Sequence, residues 1–300
     1  MSERQAVLIA NPNAGRGGAR RARAIASFCA HLKSLGVDVK VLPTAGPNDA
    51  ARLAASAAGN GTQDVIVSGG DGTINEALQG LAGTDARLGI WASGTANVLA
   101  RELGLPFGAR EAADCIARGR SIRVHVGCAT VEETGEQRYF FLMAGIGLDA
   151  SVVQGVRSSL KRRIGKGAFW FSGLSHLASW KPVPFEVEVD GQTFSATFAA
   201  IGKSSRYGGD LAITPRARLE EPEFEICLIN SHSRLRYLHL LSYAMRDGVQ
   251  MDRPGVRYFR ATRARATGKA LVQVDGELLG TLPMTFEIAP FHINVITNKG

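Results

Sequence analysis

Apolar positions follow two rhythms along the chain, and the change between them divides it. In the first part, short runs rich in β-branched residues (Ala6–Ala10, Val37–Val41, Asp64–Ser68, Leu88–Ala92) read as strands. Between them the apolar residues fall at helical spacing: Ile25, Phe28 and Leu32; an Ala-rich stretch opened by Thr44–Asp49; Ile74, Ala77, Leu78 and Leu81; then Val98–Leu103. Arg20, Arg21 and Arg23 fall on the face predicted to be exposed in the first helix, which Gly36 ends. Strands alternating with helices predict a parallel sheet with helices on both faces. Loops at the carboxyl ends of such strands gather along one edge, so Asn11–Gly15, Thr44 and Gly69–Thr73 are expected to converge. Near residue 124 the rhythm changes. Val124–Thr130, Tyr139–Met143, Phe185–Val189, Phe194–Ile201 and Phe224–Ile229 read as strands with no regular helices between them, and Asp190-Gly191 marks a tight hairpin. The expected fold is an α/β N-terminal domain followed by a mainly antiparallel β-sandwich or barrel, with the division at residues 1–124 and 125–289.

Composition narrows the setting. Cys29, Cys115, Cys128 and Cys227 are scattered with no C-x-x-C pair, which points to a reduced, cytoplasmic setting without a zinc site. Ala6–Ala10 comes too early and is too brief for a signal peptide, and no apolar run approaches a membrane span. A net charge of +8 favours an anionic partner: a nucleotide, a nucleic acid or a membrane surface.

The richest chemistry lies at Gly69-Gly70-Asp71-Gly72-Thr73, between a strand and a helix. Glycines there let a ligand approach the backbone, and a helix N-terminus offers unpaired N–H groups to phosphate. Asp71 is out of place in a seat that only holds anions. It reads either as a local helix cap or as a carboxylate that meets a metal ion or polarises a hydroxyl. Ser93–Asn97 repeats the small-residue turn before a helix, and together these turns predict a nucleotide crevice. The Asn11–Gly18 piece lacks the G-x-G-x-x-G spacing of a dinucleotide fingerprint. Asp149, at a strand-to-helix junction, reads equally as a helix cap or as a polar group of a site. Asp275-Gly276-Glu277 is either a plain hairpin turn or a pair of catalytic carboxylates.

Asn11-Pro12-Asn13-Ala14-Gly15, Gly69–Glu76 and Gly94-Thr95-Ala96-Asn97-Val98-Leu99-Ala100-Arg101, in that order, resemble the motifs of the diacylglycerol/sphingosine-type lipid kinases in their small bacterial form. The resemblance implies a two-domain enzyme with ATP between the domains, and a last strand near Phe291–Ile296 (residues 290–300) returning to the first. It places the nucleotide against Asn11, Pro12, Asn13, Ala14, Gly15, Thr44, Gly69, Gly70, Asp71, Gly72, Thr73, Ile74, Asn75, Glu76 and Thr95. Glu277 becomes the proton acceptor with Asp275 beside it as a metal or orienting group, Asp71 acts with Mg²⁺ or the reacting hydroxyl, and Asp149 does polar work on the acceptor or metal side. Bacterial relatives also hold a structural Mg²⁺ in a loop ending Asp-Gly. The corresponding ligands here are Arg218, Glu221 and Glu223, but the Asp-Gly pair has become Glu221-Pro222, which reshapes or removes the site.

Two basic, aromatic stretches bear on where such an enzyme works. Residues 151–184 contain no acid, and between 157 and 181 Arg157, Lys161, Arg162, Arg163, Lys166 and Lys181 adjoin Phe169, Trp170, Phe171 and Trp180. This combination suits an anionic membrane surface, and a packed lid is the alternative. A second cluster, Arg234 to Arg265, interleaves with Tyr237, Tyr243, Tyr258 and Phe259, but no nucleic-acid motif accompanies it and none is expected to bind. The leading expectation is therefore an ATP- and Mg²⁺-dependent lipid kinase, cytoplasmic and peripheral at the inner membrane face. A kinase for a soluble acceptor and a silent membrane-binding relative are the alternatives. The acceptor alcohol is open, and so is a homodimer.

Overall fold

The computed structural model describes residues 4–15, 18–156, 180–206, 211–244 and 254–299. The chain forms two compact units, Met1–Val124 with Pro290–Gly300, and His125–Ala289.

In the first unit β1 (Arg4–Ala10), β2 (Val37–Pro43), β3 (Asp64–Gly69) and β4 (Arg87–Ala92) lie parallel in the order β2-β1-β3-β4. The end of the last strand, β16 (Met284–Ile296), runs parallel beside β4. Helices α1 (Ala19–Ser34), α2 (Asp49–Gly59), α3 (Asp71–Leu81), α4 (Val98–Glu102) and α5 (Ala109–Arg118) connect or flank these strands. Two pairs pack closely, α1 with α5 and α2 with α3. Val65, Ile66 and Val67 of β3 are wholly buried although successive side chains point to opposite faces. A strand covered on both sides must be apolar throughout, and its unbroken run in the sequence reflects that. Gly80 lets α3 meet α2, because a Cβ there would lie 2.1 Å from the Ala51 carbonyl oxygen. The first strands are tied at their start by buried Asp64, which pairs with Arg4 at 2.8 Å and Arg87 at 2.7 Å.

One expectation about α1 is corrected. Arg21 is buried, whereas Arg20 and Arg23 are exposed as predicted. Its guanidinium passes under Trp91 and reaches β3, so the helical stripe assigned to solvent contains one residue that turns inward.

The second unit is an antiparallel sandwich. One sheet runs β12-β11-β10-β7-β14-β15, formed by Val256–Ala261, Phe224–Ile229, Phe198–Gly202, Met143–Gly147, Leu271–Val274 and Glu277–Thr281 respectively. Facing it across the core are β13 (Arg263–Thr267), β8 (Phe185–Val189) and β9 (Gln192–Ala196) with the first half of β16, together with β5 (Ser121–Val131) and β6 (Gln137–Phe140). Ile146, Ile201, Phe224, Ile226 and Val272 from one sheet meet Val187, Ala264, Met284 and Phe286 from the other. Helix α6 (Leu148–Val156) follows β7, and α7 (Arg234–Ala244) follows β11.

Two runs predicted as single strands are each divided. Tyr139–Met143 breaks at Phe141-Leu142, whose N–H groups turn to the Asp275 carboxylate. Phe194–Ile201 breaks at Thr197, where the chain leaves one sheet for the other. The buried Thr197 hydroxyl bonds the Ile229 and Ser231 carbonyls and the Tyr237 hydroxyl, fixing that corner. Hydrophobic pattern alone does not show such breaks, since apolar residues lie on both sides of each.

Candidate active site

In the first unit three loops meet at the carboxyl ends of the strands. The Asn11 N–H donates to the Ser68 carbonyl (2.9 Å), and its amide nitrogen donates to the Thr73 hydroxyl (3.2 Å). Ser93 N–H donates to the Gly69 carbonyl (2.8 Å), and a Cβ on Gly94 would lie 2.5 Å from the Gly70 Cα. Only glycine permits that approach of β3 and β4 turns. A Cβ on Gly69 would strike Thr73, and Gly15 has a φ of +68° and adjoins the Ser93 carbonyl. Thr44 joins the group through a 3.0 Å bond to the Ala10 carbonyl. Asn97, in the left-handed conformation, closes the Gly94 turn with its side-chain amide on both Gly94 backbone groups. Thr95 stands exposed between them, as do Pro12, Asn13 and Gly72 on the neighbouring loops.

The helix α3 opens at Gly70 without any side-chain cap. Asp71 is not that cap. Its Oδ1 accepts from the Leu99 N–H across the turns (3.2 Å), and Oδ2 has no partner among the described residues. The Ser93 hydroxyl oxygen is likewise buried without a hydrogen-bond partner. An uncapped helix N-terminus, an available carboxylate oxygen and an orphaned hydroxyl together suit a phosphate-bearing ligand with a hard cation. Not every residue of the motif faces this corner. Ile74 and Asn75 are buried, and the Glu76 carboxylate accepts from the Ala50 N–H in the first turn of α2.

Beneath the corner lies a residue whose role the sequence did not reveal. Arg21 donates to the Ser68 carbonyl (3.1 Å), the Ser68 hydroxyl (2.8 Å) and the Asn11 carbonyl (3.4 Å), with its guanidinium 4.9 Å from the Trp91 ring centre. It joins the end of β3 to the first loop. Replacing Arg21 by methionine removes three charge-assisted bonds that join β3 to the first loop and is expected to cost about 2–3 kcal/mol of stability. Nucleotide affinity should fall as well, read by thermal unfolding and by calorimetric titration of nucleotide.

In the second unit Asp275-Gly276 forms a two-residue turn between β14 and β15, with positive φ at both residues (47° and 82°). Asp275 Oδ2 accepts from the Phe141 N–H (2.9 Å), and Oδ1 from Leu142 (3.0 Å) and Met143 (2.9 Å). A carboxylate gripped by three backbone amides is held as an anchor for the turn. Glu277, the first residue of β15, is half-buried and pairs with Arg138 at 2.6 Å. Fully buried Gln273 connects the other members. Its side chain accepts from the Gly276 N–H (2.6 Å) and donates to Asp149 (2.5 Å), which lies over Gly145 where a Cβ would collide with it. Asp149 and Gln273 are thus bonded to each other and, through Gly276, to the turn that carries Asp275 and Glu277. Gln273 and Arg138 belong to no motif in the sequence.

The loop expected to ligate a divalent ion is built differently. The carbonyls of Arg218, Glu221 and Glu223 all accept from the Lys203 ammonium. Burial lowers the Lys203 pKa to about 8, with Glu221 and Glu223 acting in the opposite direction.

Three of the described arginines of the second basic cluster pair with acids. Arg260 meets Glu221 and Glu223, Arg263 meets Glu287 and Arg265 meets Glu132. Tyr237 is buried, and Trp180 packs edge-on against it at 5.1 Å. The basic and aromatic segment 157–179 and Arg246 and Arg253 lie outside the described residues. Among the described residues no helix is long and apolar enough to cross a membrane.

Comparison with known proteins agrees with this architecture. Residues 5–129 match the diacylglycerol kinase catalytic domain, and residues 143–297 match the YegS C-terminal NAD kinase beta sandwich-like domain. A diacylglycerol kinase of Mycobacterium tuberculosis is 31% identical over 293 residues, spanning 96% of this chain and 93% of its own. One from Bacillus subtilis is 29% identical over 306 residues, with 99% and 97% covered. The crystal structure of a diacylglycerol kinase from Bacillus anthracis shares the fold with a TM-score of 0.76 at 22% identity, covering 99% of this chain and 97% of that one.

Proposed function

The chain belongs to the bacterial diacylglycerol kinase family of ATP-dependent lipid kinases, and we propose that it transfers the γ-phosphoryl group of ATP to a hydroxyl of a membrane lipid. Diacylglycerol is the first acceptor to test, ahead of sphingoid or phosphatidylglycerol-like alcohols. The observation that carries the reading is the uncapped N-terminus of α3, ringed by the Asn11, Gly69–Thr73 and Ser93–Asn97 loops in a chain of this family.

In this reading the ATP phosphates lie against the first turn of α3, with Asn11, Thr44, Thr73 and Thr95 fixing the nucleotide. Asp71 offers a hard oxygen to the Mg²⁺ that travels with ATP, and that ion supplies neutralisation of phosphate charge. Glu277 accepts the proton of the acceptor hydroxyl. Arg138 fixes its direction, and Asp275 with Gln273 holds the turn that carries it. Asp149, positioned by Gln273, supplies a polar contact on the acceptor side. Phosphoryl transfer asks little covalent chemistry of a protein, so positioning and charge neutralisation do most of the catalysis.

Action at an anionic membrane face, from the cytoplasm, is part of the proposal. The net charge of +8 supports it, as do exposed Leu235 and Leu238 beside Arg234 and Arg236 on α7. The test is a transfer assay with labelled ATP, Mg²⁺ and mixed micelles carrying a panel of lipid alcohols, run beside sedimentation with anionic vesicles. Label on one lipid together with vesicle binding is the expected result. Label on no lipid, with nucleotide still bound, would replace the proposal by a kinase for a soluble acceptor or a silent relative.

A further inference from the structure

We propose that the Lys203 ammonium is the structural cation of the 218–223 loop, permanently carried by the chain in the place where the family resemblance implied a divalent metal ion. The residues present do not fit such an ion. Lys203 is completely buried, at the end of an apolar strand run (Phe198–Gly202) where a lysine has no reason to stand unless its charge is used. An ammonium has three protons to donate, and here each has a backbone carbonyl: Arg218 at 2.9 Å, Glu223 at 3.1 Å, and Glu221. These are the oxygens that a metal would need, and the nitrogen stands at their point of convergence.

The acidic side chains of the loop are also committed elsewhere. Glu221 and Glu223 both meet Arg260, so the carboxylates serve an external guanidinium while the carbonyls serve the internal ammonium. Mg²⁺ demands six oxygens in octahedral array at about 2.1 Å. A loop whose φ is fixed at Pro222 and whose carbonyls are spaced for N–H···O bonds of about 3 Å does not provide that array. Replacement of Asp-Gly by Glu221-Pro222 and the presence of Lys203 are therefore two parts of one exchange.

The backbone of Lys203 also connects to the Asp275-Gly276 turn. The Lys203 and Ser204 N–H groups both donate to the Leu142 carbonyl, at 2.8 and 3.1 Å. Leu142 in turn donates its N–H to Asp275 (3.0 Å). A chain of bonds thus runs from the 218–223 loop through Lys203 and Leu142 to the Asp275-Gly276 turn. The inference stands whichever alcohol is phosphorylated, since it concerns how the second unit is held together.

The test uses the full-length protein without nucleotide. Elemental analysis after dialysis and thermal unfolding in excess EDTA or in Mg²⁺ are compared for the wild type and Lys203→Met. The wild type should hold no stoichiometric metal and melt at the same temperature in EDTA as in Mg²⁺. Lys203→Met should melt lower by about 5 °C or more in both, because three buried carbonyls lose their donors. A stoichiometric divalent ion in the wild type whose removal lowers its melting temperature would overturn the inference, as would a Lys203→Met protein that melts like the wild type. Should that variant fail to fold, the two wild-type measurements decide the matter alone.

Discussion

Glu277→Gln is expected to lower the turnover number by about 10²–10⁴-fold, the range that a positioned proton acceptor contributes. Glutamine keeps the length of the side chain and an oxygen that accepts from Arg138, so the geometry of the pair at 2.6 Å is preserved while the capacity to take a proton is lost. Melting temperature and ATP affinity should therefore stay at wild-type values. Steady-state transfer to lipid in micelles reads the first quantity, and unfolding with calorimetry reads the others. Undiminished turnover in this variant would remove Glu277 from the reaction and leave the kinase assignment standing. A loss of turnover accompanied by a collapse in stability would instead make Glu277 a structural partner of Arg138.

Asp275→Ala should behave in the opposite way, losing stability first and activity as a consequence. Three backbone N–H groups, those of Phe141, Leu142 and Met143, lose their acceptor together. Alanine must also occupy a backbone with φ of 47°, where a short polar side chain is better tolerated. The expected cost is about 2–4 kcal/mol, reduced from the sum of three lost bonds because water reaches this half-buried turn. Asp275→Asn keeps the backbone preference and one acceptor oxygen, and should fall between the wild type and Asp275→Ala in a thermal melt. Equal stability of all three proteins would show that the amide nest does not hold the turn. The two substitutions separate the neighbouring carboxylates: under the proposed function Glu277 carries chemistry, while Asp275 holds the turn.

This division was not legible from Asp275-Gly276-Glu277 as a string of residues. The motif showed a hairpin turn with two acids, and the resemblance gave both of them to catalysis. What distinguishes them is a set of bonds between positions 132 to 134 residues apart in the chain. Glu76 makes the same point in the first unit. It sits inside the motif that carries the resemblance, yet its carboxylate serves the first turn of α2.

Local patterning nevertheless went far. A run such as Val65–Val67, apolar at every position, has to be covered on both faces, and the helical spacing of Ile74, Ala77, Leu78 and Leu81 supplies one of the covers. The loss of that alternation after residue 124 announced an antiparallel sandwich, and Asp190-Gly191 announced its hairpin, because these signals depend on neighbours two to four residues away. From such local signals the sequence determined the α/β and sandwich architecture and the glycine turn Gly69–Thr73 at the end of β3, where the loops meet.

The tertiary structure alone decided what each buried charge does. Arg21 read as one more exposed arginine on a basic helix face, and Lys203, just past an apolar strand, belongs to no motif. Each is buried against backbone carbonyls from distant elements, Arg21 under Trp91 beside Ser68 and Lys203 inside the 218–223 loop. Burying a charge is tolerated only where its hydrogen bonds are supplied, and those acceptors come from folding rather than from adjacent sequence. Periodicity assigns a residue to a face, but only the assembled fold determines which oxygens wait there.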